Sequence, residues 1–247
     1  MLGEKIVSTI KGTLGYFSPS TRKLPLKRKE FYQSFVHKNN ICFDVGANIG
    51  NRIEPLLQIG AKIIAIEPQE SCCKILKKRF GNRIKIINKG LGAKEWIQKF
   101  YISNASTLCS FSDEWIDSVK KKRFRGFTWW KTIDTELTTL DYLIDRYGVP
   151  TFIKIDVEGY ESEVLRGLSH SIPMISFEYT VPEQTSRIFD CINSLYIINN
   201  NILCNYSIWE SMEWVLEKWL TKEEFLEHIN KINFIETGFG DIYVKTL

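Results

Sequence analysis

One ten-residue stretch constrains this chain more than any other: residues 41–50 read I-C-F-D-V-G-A-N-I-G. An apolar run ends in an acid, and two glycines four apart follow, with Asn48 between them. Such a run, opening into a helical pattern, reads as a buried parallel strand that turns sharply into a helix. Glycine suits the turn because the backbone takes positive φ and because a ligand can come closer than a Cβ permits. The helix start then offers unpaired N–H groups to whatever fills the turn. About twenty residues on, an apolar run over residues 62–66 ends in Glu67-Pro68. That spacing sets an acid at the neighbouring strand tip, within reach of both hydroxyls of a ribose. The pattern predicts a nucleoside-binding site.

A dinucleotide site needs G-x-G-x-x-G, so that glycine backbone can lie against a pyrophosphate. Here Asn48 replaces the second glycine, and Asp44 stands two residues before the first. A carboxylate in the crevice repels a pyrophosphate and suits a ligand carrying an ammonium and a sulfonium. The D-V-G-A-N-I-G segment resembles the first motif of S-adenosylmethionine-dependent methyltransferases. That resemblance implies a cofactor site built from Asp44, Gly46, Ala47, Asn48, Gly50, Glu67, Pro68, Gly90 and Asp156.

The 247 residues are enough for one sizeable core, and 44% hydrophobic with 25% charged residues is the composition of a soluble globular chain. The balance of 33 basic against 29 acidic residues gives +4, too little to argue for nucleic acid. Basic residues concentrate at 22–29 and 120–125, and a solvated face is the plain expectation for each. The six cysteines show no C-x-x-C pairing, which suits a reducing compartment. Glu4, Lys5 and Lys11 interrupt any apolar leader, and no run approaches the roughly 18 apolar residues of a membrane span. A cytoplasmic location is expected, with homo-oligomerisation left open.

Residues 1–40 read as a basic extension with one or two helices and a loop at 18–25, and residues 41–247 as a single domain. The domain starts with strand 41–45 and a short helix ending at Gly60, since Pro55 is tolerated only near a first turn. Strand 62–66 precedes a helix from Pro68 to Phe80, capped by Gly81, with Cys72, Ile75, Leu76 and Phe80 on one face. Strand 84–88 follows, and a strand near 97–102 can form a hairpin with it. Residues 103–131 show little periodicity, so 109–131 reads as a substrate loop. Helix 140–147, strand 151–156 with a helix to about 168, and strand 174–179 with a helix at 183–195 come next. A last helix at 222–232 and a terminal strand at 241–245 close the chain. This alternation predicts an α/β, doubly wound, Rossmann-like fold, mostly parallel with an antiparallel terminal strand, whose ligands bind at the strands' carboxyl ends.

The second informative segment is F-I-K-I-D-V-E-G-Y-E at 152–161. At period two, Phe152, Lys154 and Asp156 share one face. The expected order sets this strand between the Asp44 strand and the Glu178 strand, so that three acids meet at adjacent tips. Clustered like charges raise one another's pKa, and Lys154 is the cation placed to compensate. The bland reading of Lys154 is a buried ion pair with Asp156 or Glu178.

Together, D-V-G-A-N-I-G, I-E-P, I-K-I-D-V-E-G-Y-E and the following L-R-G-L resemble the FkbM-type methyltransferase family, closely from about residue 41 to 178. Ser106-Thr107-Leu108 resembles a small-residue-Ser-Leu segment of that family. The resemblance implies a Rossmann-like methyltransferase fold that uses S-adenosylmethionine to methylate a hydroxyl of a sugar or other natural-product scaffold. Transfer from a sulfonium is an in-line displacement, where positioning supplies roughly 7–11 kcal/mol and a base about 10²–10⁴-fold. Asp156 is the first choice of base, Glu158 and Glu178 are orienting acids, and Lys154 completes the set. His37 and His170 are alternatives away from the predicted strand tips. No cluster has metal-ligand spacing, although Asp156 with another acid could hold Mg²⁺.

For the acceptor, Lys121, Lys122 and Arg123 beside Trp129 and Trp130 suggest a small molecule or glycan carrying an anionic group, its ring stacked on indole. Trp209, Trp214 and Trp219 read as core. Phe124, Phe127 and the paired indoles among the cations also raise a nucleic-acid methyltransferase. The low net charge and the lack of an N-P-P-[YF] segment oppose it. A non-catalytic cofactor-binding subunit is opposed by the intact Asp44, Glu67 and Asp156, and a dehydrogenase by Asn48 and Asp44.

Overall fold

The computed structural model describes residues 19–247. Helix α1 (Pro19–Tyr32) leads into β1 (Ile41–Val45), α2 (Ile53–Ile59), β2 (Lys62–Ile66), α3 (Glu70–Phe80) and β3 (Ile84–Ile87). An excursion follows through β4 (Gly90–Leu91), β5 (Trp96–Ser103), α4 (Asp113–Val119) and β6 (Trp129–Thr138). The chain returns by α5 (Leu140–Tyr147), β7 (Phe152–Ile155), α6 (Glu161–Leu165), β8 (Met174–Thr180) and α7 (Thr185–Ile198). It ends with β9 (Ile202–Ile208), β10 (Leu220–Thr221), α8 (Lys222–His228), α9 (Ile232–Ile235) and β11 (Phe239–Thr246).

Eight strands form one sheet in the order β10-β9-β11-β8-β7-β1-β2-β3. The half from β3 to β8 is parallel, and β11, β9 and β10 complete it antiparallel. The parallel strands are apolar on both sides because both faces are covered. Phe43, Val45, Ile153, Ile155 and Phe177 pack with residues of α5, α6 and α7. Cys42, Ile63, Ala65, Phe152 and Met174 pack with residues of α1, α2 and α3. A fully buried side chain such as Phe152 contributes about 1.5–3 kcal/mol by leaving water. The strand order reverses direction between β1 and β7, which opens a crevice at their carboxyl ends. Among the described residues, no helix is long and apolar enough to cross a membrane.

The doubly wound architecture agrees with the sequence reading, and several local expectations do not. No hairpin joins residues 84–88 to 97–102: β3 pairs in parallel with β2, while β5 pairs with β6 in a separate three-stranded sheet ordered β4-β6-β5. The stretch 109–131 is not a structureless loop. Ser112 accepts the Trp115 N–H to cap α4, which buries Trp115, Ile116 and Val119; seven residues are too few for periodicity to show. Residues 19–25 of the expected loop are helical, and residue 18 lies outside the described residues. Ile75 is exposed, leaving Cys72, Leu76 and Phe80 as the buried stripe of α3. The last helix breaks into α8 and α9. Strand β9 escapes the apolar pattern because its Asn205 and Ser207 are buried polar residues. Asn205 accounts for itself by donating to the Leu216 carbonyl and accepting from the N–H groups of Leu216 and Tyr206.

The described part of the expected N-terminal extension is seated on the sheet. Tyr32 meets Phe152 at 5.6 Å between ring centroids, and Phe31 meets Tyr243 at 5.3 Å.

At Gly46, φ is +78°, and an added Cβ would lie 1.8 Å from the backbone oxygen of Asp156. Glycine is therefore demanded by the positive φ the sequence suggested and by the close approach of the chain just after β7. Gly46→Ala combines overpacking with left-handed strain and should lose about 2–6 kcal/mol of stability in denaturant unfolding. Gly126→Ala, at φ +105° with nothing within 4 Å, should lose only the backbone share, about 1–3 kcal/mol.

Candidate active site

A cavity of about 500 Å³ lies over the carboxyl ends of β1, β2, β7 and β8. Asp44, Gly46, Ala47, Asn48, Glu67, Pro68, Gly90, Lys154, Asp156, Glu158 and Glu178 all line it. Gly50 does not: it turns the chain behind the cavity, where a Cβ would meet the Phe80 ring at 2.4 Å. The N–H groups of the turn itself are already engaged. The N–H groups of Gly46 and Ala47 donate to Ile66, that of Asn48 to Glu67, that of Ile49 to the Asn48 side chain and that of Gly50 to Ala47.

Asn48 has φ +45°, a conformation asparagine tolerates better than most residues. Its N–H donates to Glu67 Oε2 at 2.7 Å, and the Gln69 N–H donates to Oε1 at 2.8 Å. One carboxylate thus ties both turns, and its remaining lone pairs are available to the cavity. Burial raises the Glu67 pKa to about 7 even though these two N–H donors oppose the shift.

The second half of the site is an acidic row that the pleat puts on one face. Asp44 pairs in register with Lys154, and Lys154 with Ser176. One step nearer the tips, Glu178 lies directly opposite Asp241. Lys154 Nζ holds Asp156 at 2.7 Å. Burial works against the lysine's charge, but Asp156 and Asp44 outweigh it and its pKa lies above the ordinary range. Arg52 bridges Glu210 at 2.9 Å and Asp241 at 3.3 Å, and Arg28 reaches Glu210 at 2.7 Å. These two guanidiniums hold the Glu210 carboxyl down to about 2 against its burial.

Other acids are left without such support. Asp44 is 1% exposed and neither oxygen has a hydrogen-bond partner; burial raises its pKa. Burial, then the charge of Asp156, pushes Glu158 and Glu178 well above the carboxylate range; Glu161 adds to both, and Glu158 to Glu178. Oxygens of Asp156, Glu158 and Glu178 all lie within 4.8 Å of one another, the set among the described residues able to hold a metal ion.

The predicted acceptor residues scatter. Lys121 and Lys122 are exposed and outside the cavity lining. Arg123 lines the cavity but is tied to Glu183 at 3.0 Å and to the Val181 carbonyl at 2.7 Å. Trp129 packs in a small core with Trp115 and donates to the Leu108 carbonyl, while Trp130 is exposed. Trp214 and Trp219 pack on the α1 side of the sheet. His37 is exposed and His170 pairs with Asp141 at 2.9 Å, neither in the cavity. Arg28 belongs to the basic run read as a solvated face, yet it is 8% exposed. Its partnership with Glu210, and that of Arg52 with Asp241, span 182 and 189 residues, so no local signal announces them.

A glycine turn after a buried acid, a carboxylate at the next strand tip and a doubly wound sheet define an S-adenosylmethionine-dependent methyltransferase domain. The Methyltransferase FkbM domain profile matches residues 44–206, and the chain belongs to that family. No curated protein matches the sequence significantly. Among solved structures, the chain is similar to a TehB-like SAM-dependent methyltransferase from Corynebacterium glutamicum, with TM-score 0.45, 9% identity, and 89% of this chain and 86% of that chain covered. It is also similar to precorrin-6y C5,15-methyltransferase from Geobacter metallireducens (TM-score 0.45, 8% identity, coverage 94% and 89%). A third likeness is to the plantazolicin methyltransferase BpumL in complex with a triazolic desmethylPZN analog and SAH (TM-score 0.44, 12% identity, coverage 98% and 90%).

The residues present fit the cofactor. The two orphaned oxygens of Asp44 match its ammonium, and Glu67 keeps acceptor capacity for ribose hydroxyls. If Glu67 holds the ribose, only its ionised form would accept from both hydroxyls, and affinity should then fall as pH drops through about 7 rather than through the ordinary value of 4.5. Calorimetry at several pH values should show this fall in the wild type and a flat profile in Glu67→Gln. Glu67→Ala should weaken binding by about 1–3 kcal/mol.

Proposed function

We propose that this chain transfers the methyl group of S-adenosylmethionine to a hydroxyl of a sugar or sugar-like acceptor. The supporting observation is the gathering of Asp156, Glu158 and Glu178 on the wall of the cavity that also holds Asp44 and Glu67. A sugar hydroxyl is a weak nucleophile, and a carboxylate with a raised pKa is a better proton acceptor than an ordinary one. The Glu158–Glu178 pair has that property. Asp156, first choice on sequence, is engaged by Lys154 and is assigned the orienting role instead. Placing hydroxyl, methyl and sulfur in line is the remaining requirement. The cofactor, when bound, supplies the electrophilic methyl.

The charge inventory also revises the acceptor. Among the described residues, each cation lining the cavity is already paired: Arg28 and Arg52 with Glu210, Lys89 with Glu136, Arg123 with Glu183, Lys154 with Asp156. None is spare for a phosphate or carboxylate. The open partners are carboxylates, which favour a ligand rich in hydroxyl donors, and Phe124 and Phe239 offer apolar walls to a ring.

Incubating the protein with labelled S-adenosylmethionine and a pool of nucleotide sugars and cell glycans should give a methylated hydroxyl compound by mass spectrometry. Label confined to RNA or protein would sink this reading. Glu158→Gln and Glu178→Gln should each lower turnover by about 10²–10⁴-fold with cofactor affinity nearly unchanged. Asp156→Asn strips Lys154 of its counter-ion and should also lower the melting temperature.

A further inference from the structure

The turn between β7 and α6 holds Glu158 in an unusual way. Its φ is +55°, in the left-handed region that glutamate seldom enters. Such a conformation persists only where the surroundings over-determine it. We propose that Glu161 and Ser110 are positioning residues, clamping the Glu158 backbone from two sides so that its carboxylate enters the cavity. The proposal rests on the reading of Glu158 as a proton acceptor.

From one side, Glu161 Oε1 accepts from the N–H of Val157 at 3.1 Å and of Gly159 at 3.2 Å, the two residues flanking Glu158. Glu161 is 4% exposed and, among the described residues, forms no ion pair. A buried carboxylate given to the backbone N–H groups of its own turn is costly unless the turn's shape matters. From the other side, Ser110 Oγ donates to the Glu158 carbonyl at 2.7 Å. The same Oγ accepts from the Ser112 N–H at 2.9 Å, and the Ser110 backbone is bridged to Tyr101 of β5. Ser110 is fully buried. Underneath, Gly159 sits on Trp115 so closely that a Cβ would lie 2.4 Å from the indole. Ser110 and Trp115 belong to the excursion between β5 and β6, which therefore acts on the chemistry from behind Glu158.

The test compares full-length Glu161→Gln, Glu161→Ala and Ser110→Ala. Gln and Ala both lack the charge, so any difference between them isolates the hydrogen bonds. Amide hydrogen exchange at residues 157–159 should rise about tenfold or more in the two Ala variants and stay near wild type in Glu161→Gln. The carboxyl carbon of Glu158, assigned by its loss in Glu158→Gln, should titrate at lower pH in Glu161→Ala than in Glu161→Gln. With the acceptor found by the labelling screen, the Ala variants should lose about a hundredfold in kcat with little change in KM. S-adenosylmethionine affinity should hold throughout. Unchanged exchange and titration in Ser110→Ala overturn the clamp, and that variant decides the matter should Glu161→Ala fail to fold. A labelling screen that yields no methylated hydroxyl compound would sink the proposed function, while exchange and titration still judge the clamp.

Discussion

Packing an acidic row at the ends of four adjacent strands is the constraint around which this molecule is arranged. Asp44, Asp156, Glu178 and Asp241 share one face of the sheet within a few residues of one another. Ionised and unpaired, they would repel one another in a medium that screens poorly. Two cations answer this: Lys154 from the sheet itself, against Asp156, and Arg52 from the start of α2, against Asp241 and Glu210. The compensation is deliberately incomplete in its geography. Positive charge is concentrated toward β11 and the sheet face, while Asp44, Glu158 and Glu178 face the cavity with none of their own. A ligand that brings an ammonium, a sulfonium and hydroxyl donors completes the set, and its binding adds stability by mass action.

That arrangement explains why α1 belongs to the functional unit. Arg28 extends the ionic chain through Glu210 to Arg52, and Phe31 and Tyr32 pack the same face below it. Leu24 and Pro25 continue the helix to the cavity wall. A helix of low apolar periodicity is held here by its last two turns, where aromatic packing and one half-buried ion pair replace a regular apolar stripe.

What could be read in the sequence follows from how local the cause is. Strands 41–45 and 62–66 and the helix at 140–147 were legible because burial on two faces, or on one stripe, is written in consecutive residues. The meeting of Asp156 and Glu178 with Asp44 followed from strand order, a topological rule. Arg28, Arg52, Glu210 and Asp241 were not legible, since each earns its place from a partner far away in the chain. Glu161 was visible as a letter of E-G-Y-E, but nothing at that level says that its carboxylate turns back on the N–H groups of Val157 and Gly159. The basic run at 120–125 misled for the opposite reason: its charge is local and conspicuous, while its one cavity-lining member, Arg123, is consumed by Glu183.

Asn48 shows how a departure from a familiar pattern can carry physical content. A glycine there would satisfy φ +45° equally well, yet asparagine adds an acceptor, Oδ1, that takes the Ile49 N–H. Fixing that N–H steadies the turn whose next donor, the Asn48 N–H, holds Glu67. The amides of residues 46–50 are thus spent on protein acceptors, backbone and side chain alike. The same logic recurs at Glu158, where a non-glycine residue at positive φ is braced by Glu161 and Ser110. Both turns set backbone N–H groups on a buried carboxylate: the left-handed Asn48 gives its own N–H to Glu67, while the neighbours of the left-handed Glu158 give theirs to Glu161. Glu67 lines the cavity and Glu161 does not, so the first carboxylate braces a turn from the cavity side and the second from behind.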